Sequence, residues 1–425
     1  MEALIVFLLC LLLVIVLGIP IGFGIGLTAV AVMHTLGMTN FRIISRRLIS
    51  GIDIYTLLAI PFFMLAGEIM NQSGIVKDLL KFSRAIVGKF TGGLAHVNIL
   101  VSMLFAGLSG SSVADTSAIG SILIPMMDEE GYDTPFSTAI TCSSALIGVI
   151  IPPSIPMIII GGIAQISIIR LFLGGAIPGI IVGLALMLMA YIIARKRGYP
   201  VGSGVSFREF IEVFKKTFWA LLLPLIILGG ILSGIFTATE AGAVAAVYAL
   251  LISYFLYGMK WNKYPEILSN AAVNTGIVML VCGTAMALTW YLATAQVPQY
   301  LTHFITEFTE SPIVFLLLLN LMLFIVGTVI DLTPALFLLV PILLPVSNQF
   351  GIDPVHFGVI MVANLSVGLI TPPVGTVLYV GTSIGDISLE RLVKALIPMY
   401  IIVFAVVLLI TYVTPAVMWL PSILS

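Results

Sequence analysis

Apolar residues run along this chain in stretches too long for the core helices of a soluble domain, and short clusters of Gly, Pro, Ser, Thr and Asp interrupt them. A helix crossing the ~30 Å hydrocarbon core of a bilayer needs about 20 apolar residues. The 33-residue stretch from Ala3 to Thr35 therefore predicts two short helices parted at Gly18-Ile19-Pro20, where proline removes a backbone donor. A basic connection follows, then a span from about Tyr55 to Met70. An amphipathic segment from Ile75 to Phe90 comes next, placed at the interface by Lys77, Lys81, Arg84 and Lys89. Leu94 to Met127 is interrupted by Gly107 to Ser117, Phe136 to Ile166 is interrupted by Ile151 to Pro156, and a span runs from Leu171 to Ala194.

After the charged stretch Arg195 to Lys216, with Gly198, Gly202 and Gly204, the same order begins again. Thr217 to Gly258 is broken near Gly234, a span covers about Ala271 to Ala295, and an amphipathic piece covers Gln299 to Glu310. Pro312 to Pro345 is interrupted by Gly327 to Pro334, Phe357 to Thr382 by Ile370 to Gly375, and Leu396 to Thr414 is the terminal span. Wording repeats along with order. LIGVIIPPSIP matches SVGLITPPVGT at an offset of 220 (372 − 152), LIPMMDEEGYD matches LLPVSNQFGID at the same offset, and VADTSA matches VIDLTPA at 216 (331 − 115). Several matches in order argue for an internal duplication. The repeats are residues 1–196 and 217–425, joined by a linker over 197–216.

Each half holds five crossings plus one interrupted segment, over about 94–127 and 312–345, and a broken helix, over about 136–166 and 357–382. If the interrupted segment turns back as a re-entrant hairpin, five is odd and the repeats are inverted. Loop charge fits that arrangement. One side collects Lys77, Lys81, Arg84, Lys89, Arg195, Lys196, Arg197, Arg208, Lys215, Lys216, Lys260, Lys263, Arg391 and Lys394, and the other only Arg42, Arg46, Arg47 and Arg170, a split of 14 against 4. The positive-inside rule makes the first side, with the linker, cytoplasmic and sets both termini on the periplasmic side. The expected fold is an all-α polytopic membrane protein.

Composition agrees: 60% of residues are hydrophobic, 9% are charged, and mean hydropathy is +1.22, so lipid is the solvent for most of the chain. A net charge of −1 offers nothing to nucleic acid. The first apolar run lacks a basic flank and a small-residue cleavage site, and is read as retained. Cys10, Cys142 and Cys282 lie far apart in apolar segments, and the four histidines show no ligand spacing, so neither a disulfide framework nor a metal centre other than Na⁺ is expected. Gly24-Ile25-Gly26 lacks a preceding strand, GLSGS departs from a nucleophile elbow at Ser111, and Gly88-Lys89 is followed by Phe90 rather than Ser or Thr. No nucleotide-hydrolysing loop and no organic cofactor are therefore expected, so any energy-coupled role has to draw on an ion gradient or a partner.

Where a helix breaks inside a membrane, freed carbonyls can ligate Na⁺ and freed N–H groups can face an anion. One expected Na⁺ site pairs Ser109, Gly110, Ser111 and Ser112 with the break through Ile150, Pro152 and Ser154. The other pairs Gly327, Thr328 and Asp331 with Thr371, Pro373 and Gly375. Both offer hard oxygen ligands. A single break means no more than a kink or close packing, but four breaks in two matched pairs favour a site. Asp115 and Asp331 stand at equivalent positions, and an intramembrane carboxylate costs about 3 kcal/mol; a plain helix cap is the competing role. Glu68 and Glu240, near span ends, are read as snorkelling or interhelical contacts.

The residues LLAIPFFMLAGEIM (Leu57 to Met70), GLSGSSVADTSAIGSILIP (Gly107 to Pro125), IPPSIP and ITPPVGT resemble the large membrane (M, DctM-type) subunit of tripartite ATP-independent periplasmic, or TRAP, transporters, over essentially the whole chain. The resemblance implies an elevator-type carrier in the bacterial inner membrane, Na⁺ coupling through two or more ions, and uptake of a small carboxylate, with a lean to sialic acid over C4-dicarboxylates. It also implies two partners, a small four-helix membrane subunit and a periplasmic substrate-binding protein. By the same resemblance the substrate carboxylate lies between the ion sites near Asp115, Thr116, Thr333 and Thr376. The alternatives are a stand-alone Na⁺/dicarboxylate symporter of similar fold and an intramembrane aspartyl protease. The protease requires a G-x-G-D motif, and Ser383 stands where its first glycine belongs.

Overall fold

The computed structural model describes residues 2–202 and 205–424, so Gly204 of the expected linker and the two terminal residues lie outside the described residues. The first half comprises α1 (Glu2–Val16), α2 (Ile21–Thr35), α3 (Phe41–Ile52), α4 (Ala59–Gln72), α5 (Ile75–Val87), α6 (Gly93–Ser109), α7 (Ser112–Glu129), α8 (Thr134–Ala145), α9 (Ile155–Ala164) and α10 (Ile168–Arg197). The second comprises α11 (Phe207–Leu232), α12 (Ala238–Phe255), α13 (Tyr264–Thr294), α14 (Val297–Phe308), α15 (Pro312–Val329), α16 (Leu332–Gln349), α17 (Pro354–Gly368), α18 (Thr376–Gly385), α19 (Leu389–Tyr412) and α20 (Pro415–Leu424). Among the described residues, six helices are long and apolar enough to cross a membrane: α10, α12, α13, α15, α16 and α19. A seventh span arises if α3 and α4, bent by 58° where the short turn Tyr55–Leu58 joins them, count as one.

Three segments differ from the expectation. The basic connection after Thr35 contains α3, whose Ile43, Ile44 and Leu48 are half-buried while Arg42 and Arg46 stay exposed, and Arg47 lies 4.7 Å over the Trp290 ring of α13. The linker is shorter than 197–216, because α10 continues through Arg197 and α11 begins at Phe207. Ser206 starts α11 with a capping box in which its hydroxyl accepts from Glu209 N and the Glu209 carboxylate accepts from Ser206 N. Finally, α20 follows the span expected to be last.

The centre of the molecule is built from α8 and α17, which are buried on every side from Phe136 to Ala145 and from Val355 to Gly368. Most polar groups there are satisfied locally. Thr138 and Thr141 donate to carbonyls one turn back at 2.8 and 2.9 Å, and Asn98 of α6 donates to Thr141 at 2.7 Å. Asn364 of α17 correspondingly donates to Asn320 of α15 at 2.7 Å. Packing between the halves is reciprocal: α7 rests on α18 and α16 on α9, α8 on α19 and α17 on α10, α4 on α12 and α13 on α2.

Candidate functional site

The chain reverses sharply between α6 and α7. Gly110 takes φ +59°, in the left-handed region, and Ser111 caps α7 by accepting from Ala114 N at 3.4 Å. A Cβ on Gly110 would lie 3.1 Å from the Pro153 carbonyl oxygen, so this turn is seated on the break between α8 and α9. Across the break Ser154 Oγ donates to the Val149 carbonyl at 2.5 Å and accepts from Met157 N at 3.3 Å, which caps α9. The Pro152–Pro153 and Pro372–Pro373 peptide bonds are both cis.

Asp115, one turn into α7, is fully buried. Ser109 Oγ donates to its Oδ1, while Oδ2 has no partner among the described residues and lies against Gly148, where a Cβ would come within 2.3 Å of it. Thr116 is also fully buried, and its hydroxyl donates to the Ser112 carbonyl at 2.8 Å.

In the second half Asp331 stands at the N-cap of α16, and its Oδ1 accepts from Thr376 at 3.0 Å. Val374 N donates to the Thr328 carbonyl at 3.1 Å, which ties this turn to the break between α17 and α18. The backbones of α15 and α17 touch, since a Cβ on Gly368 would lie 2.1 Å from Gly327 O. Thr371 donates to Val367 O at 2.7 Å, Tyr400 of α19 donates to the Ile370 carbonyl, and Tyr379 donates to the Pro373 carbonyl at 2.9 Å.

The two turns meet at a cavity of about 490 Å³ walled by α4, α7 and α13, to which Ser109, Ser111 and Thr333 contribute. A smaller pocket of about 90 Å³ adjoins it and brings in Gly110, Ser112 and Asp331. The remaining expected residues stand behind this surface. Ile150, Pro152, Ser154, Gly327, Thr328, Thr371, Pro373 and Gly375 line neither cavity, and Thr376 bears on the smaller one only through Asp331. Asp115 and Thr116, expected beside the substrate, lie wholly inside the protein: α7 turns Asp115 toward Gly148 rather than the cavity, and Thr116 bonds back to the Ser112 carbonyl.

The sequence reading missed Asn71 of α4 and Asn274 of α13, which line the cavity. Their signal was an amide inside an apolar run, where a polar side chain is costly unless it serves a pore or a partner. Glu68 makes the interhelical contact that was one of its two expected roles. It lines the cavity rather than snorkelling, and its Oε1 accepts from Gln72 at 2.8 Å and from Asn270 of α13 at 3.1 Å. Glu240 instead completes a capping box with Thr237 at the start of α12. Among the described residues no cation lines either cavity, so an anion held there is met by hydroxyls, amides and peptide dipoles.

Residues 8–416 match the family model described as "Tripartite ATP-independent periplasmic transporter, DctM component". The chain belongs to this DctM family. It is 45% identical to the uncharacterized protein YgiK of Salmonella typhimurium, over 90% of this chain and 88% of that one. It is 40% identical to the sialic acid TRAP transporter large permease protein SiaM of Vibrio cholerae, over 93% of each, and 39% identical to the C4-dicarboxylate TRAP transporter large permease protein DctM of Pseudomonas aeruginosa, again over 93% of each. Among solved structures, the Alcanivorax borkumensis YdaH transporter superposes with a TM-score of 0.57 at 13% identity, covering 84% of this chain and 86% of that one, which is a likeness of fold. This DctM-family chain is a multi-pass membrane transporter component, not an enzyme.

Proposed function

We propose that this chain is the carrier subunit of a Na⁺-coupled uptake system for an organic acid in the bacterial inner membrane. The observation that carries the reading is the meeting of two polar turns, α6–α7 from one half and α15–α16 from the other, at adjoining cavities. Na⁺ prefers hard oxygen donors, and the unpartnered Oδ2 of Asp115 and the Asp331 carboxylate supply a formal charge in each half beside hydroxyls and peptide carbonyls. The substrate carboxylate then lies between the turns, near Thr333 and the N-termini of α7 and α16.

The reciprocal packing of α7 on α18 and α16 on α9 supports two inverted repeats, with α6–α7 and α15–α16 as re-entrant hairpins. Length alone lets α15 and α16 cross the bilayer, but their junction at Asp331 lies beside the same cavity as the Gly110 turn, which favours a turn-back. Both termini are then periplasmic and the α10–α11 linker cytoplasmic. The hairpins and broken helices move together against the remaining helices as an elevator. The family description is of a tripartite system, so the partners are a small four-helix membrane subunit and a periplasmic binding protein that delivers the substrate. The sialic acid and C4-dicarboxylate relatives are 40% and 39% identical; sialic acid is the first substrate to test and a C4-dicarboxylate the second.

The test is uptake of radiolabelled substrate into proteoliposomes containing this chain, its small subunit and the binding protein. An inward Na⁺ gradient should drive accumulation that an equal K⁺ gradient does not. Equal uptake under both gradients overturns the Na⁺-coupled reading.

A further inference from the structure

The tip cavity does not end at the two turns. A second cavity of about 330 Å³, lined by Gln72, Lys77 and Ser121, shares Asn71 and Ser117 with the first, so the two adjoin along α7. Ser117 and Ser121 are four residues apart on that helix and fall one above the other. The route therefore runs from the Gly110 turn past the end of α4 to the start of α5.

The charges along this route are unequal. Among the described residues, Glu68 is the one charged side chain lining the first cavity and Lys77 the one lining the second. Lys77 is exposed and makes no ion pair among the described residues, because its neighbour Asp78 pairs with Lys81 at 3.6 Å. Glu68 is already held by Gln72 and Asn270. An anion moving from the tip toward Lys77 leaves a cavity lined by the Glu68 carboxylate, with Asp331 in the pocket beside it, and enters one lined by an ammonium, which favours departure over return.

We infer that the cavity lined by Asn71, Gln72, Lys77, Ser117 and Ser121 is an outlet station for the substrate carboxylate, with Lys77 drawing it from the tip cavity toward the cytoplasm. This rests on the proposed carrier reading and adds the release route to it. The station acts after loading, so its charge sets the rate of unloading more than the affinity of the loaded state. Its ligand class is a carboxylate with neighbouring hydroxyls or amides, for which the two serines and two side-chain amides provide partners.

The test is Na⁺-driven uptake by the complete transporter with its binding protein. Lys77→Glu should lower the maximal rate about five- to tenfold with KM changed less than about twofold, while Lys77→Arg keeps the wild-type rate. Raising the ionic strength inside the vesicles from about 0.01 to 0.15 M should narrow the gap between Lys77→Glu and wild type, because the Debye length falls from about 30 to 8 Å. A Ser121→Cys side chain should react with a membrane-impermeant maleimide in inside-out vesicles and be protected by substrate; the same labelling in Lys77→Glu,Ser121→Cys shows that the charge-reversed protein is folded. A wild-type maximal rate in Lys77→Glu, or labelling of Ser121→Cys from the periplasmic side, overturns the outlet and leaves Na⁺ coupling standing. Loss of Na⁺-driven uptake by the wild-type complex removes the carrier reading and the outlet with it.

Discussion

Replacing Gly148 with alanine tests the tightest constraint on Asp115. A Cβ there would lie 2.3 Å from Asp115 Oδ2 and 3.0 Å from its Cγ, whereas ordinary contact begins at 3.4 Å, so the carboxylate has to retreat by about 1 Å. The side chain is fully buried and Ser109 holds its other oxygen, so the retreat drags the Gly110 turn with it. Overpacking of this kind costs about 1–3 kcal/mol of stability. A misplacement of about 1 Å at a functional centre lowers rates by about 100-fold. Both quantities are measurable, as Na⁺-driven uptake by the reconstituted complex and as unfolding of the purified chain in detergent. Gly148→Ala should lose about 100-fold in uptake and about 1–3 kcal/mol in stability. Asp115→Ala removes the oxygen that the new methyl strikes, so adding Gly148→Ala to it should cost almost no further stability, a coupling of about 1–3 kcal/mol. Strictly additive losses in the double variant, or wild-type uptake in Gly148→Ala, would refute the reasoning.

Asp331→Ala should abolish Na⁺-dependent uptake in a folded, inserted chain, and undiminished uptake would remove Asp331 from the ion site. Thr376→Val deletes only the 3.0 Å hydroxyl donor to that carboxylate, so a loss of about 1–3 kcal/mol should appear as a raised half-saturating Na⁺ concentration. Gly368→Ala sets a methyl 2.1 Å from the Gly327 backbone oxygen, where no side chain can yield, and should lower both the yield and the melting temperature of the purified chain; unchanged values would show that α15 and α17 can separate there. A cysteine at exposed Val205 should be labelled only from the cytoplasm. The chain reconstituted without its small subunit and binding protein should transport poorly, and full activity would favour a stand-alone symporter.

The helix breaks were the most legible feature because they need specific residues. Only Gly takes the left-handed backbone at position 110 without a penalty, and the paired prolines at 152–153 and 372–373 stand out against apolar surroundings. The matching offset located both turns, and the Gly110–Ser112 and Asp331–Thr333 segments do share a cavity. Rotation about a helix axis was less legible. Asp115 lies six residues after Ser109, which faces the cavity, but α7 points Asp115 inward, and an apolar run with almost no amphipathic contrast gives no way to fix its facing. Helix α3 was hidden because its arginines read as loop charge, although its isoleucines recur at helical spacing. The Ser206 to Glu209 capping signature was present in the sequence and would have placed the start of α11.

The reciprocal seating of α7 on α18 and of α9 on α16 also constrains how the protein is made. Backbone groups freed within a bilayer are tolerated only when other protein covers them, and if the first half's turn is re-entrant as proposed, part of its cover, α16 and α18, is synthesised in the second half. A nascent chain paused in the linker would present bare peptide dipoles to lipid tails. The first half therefore has to be sheltered, by the insertion machinery or by staying near the membrane surface, until α16 and α18 arrive to close over it.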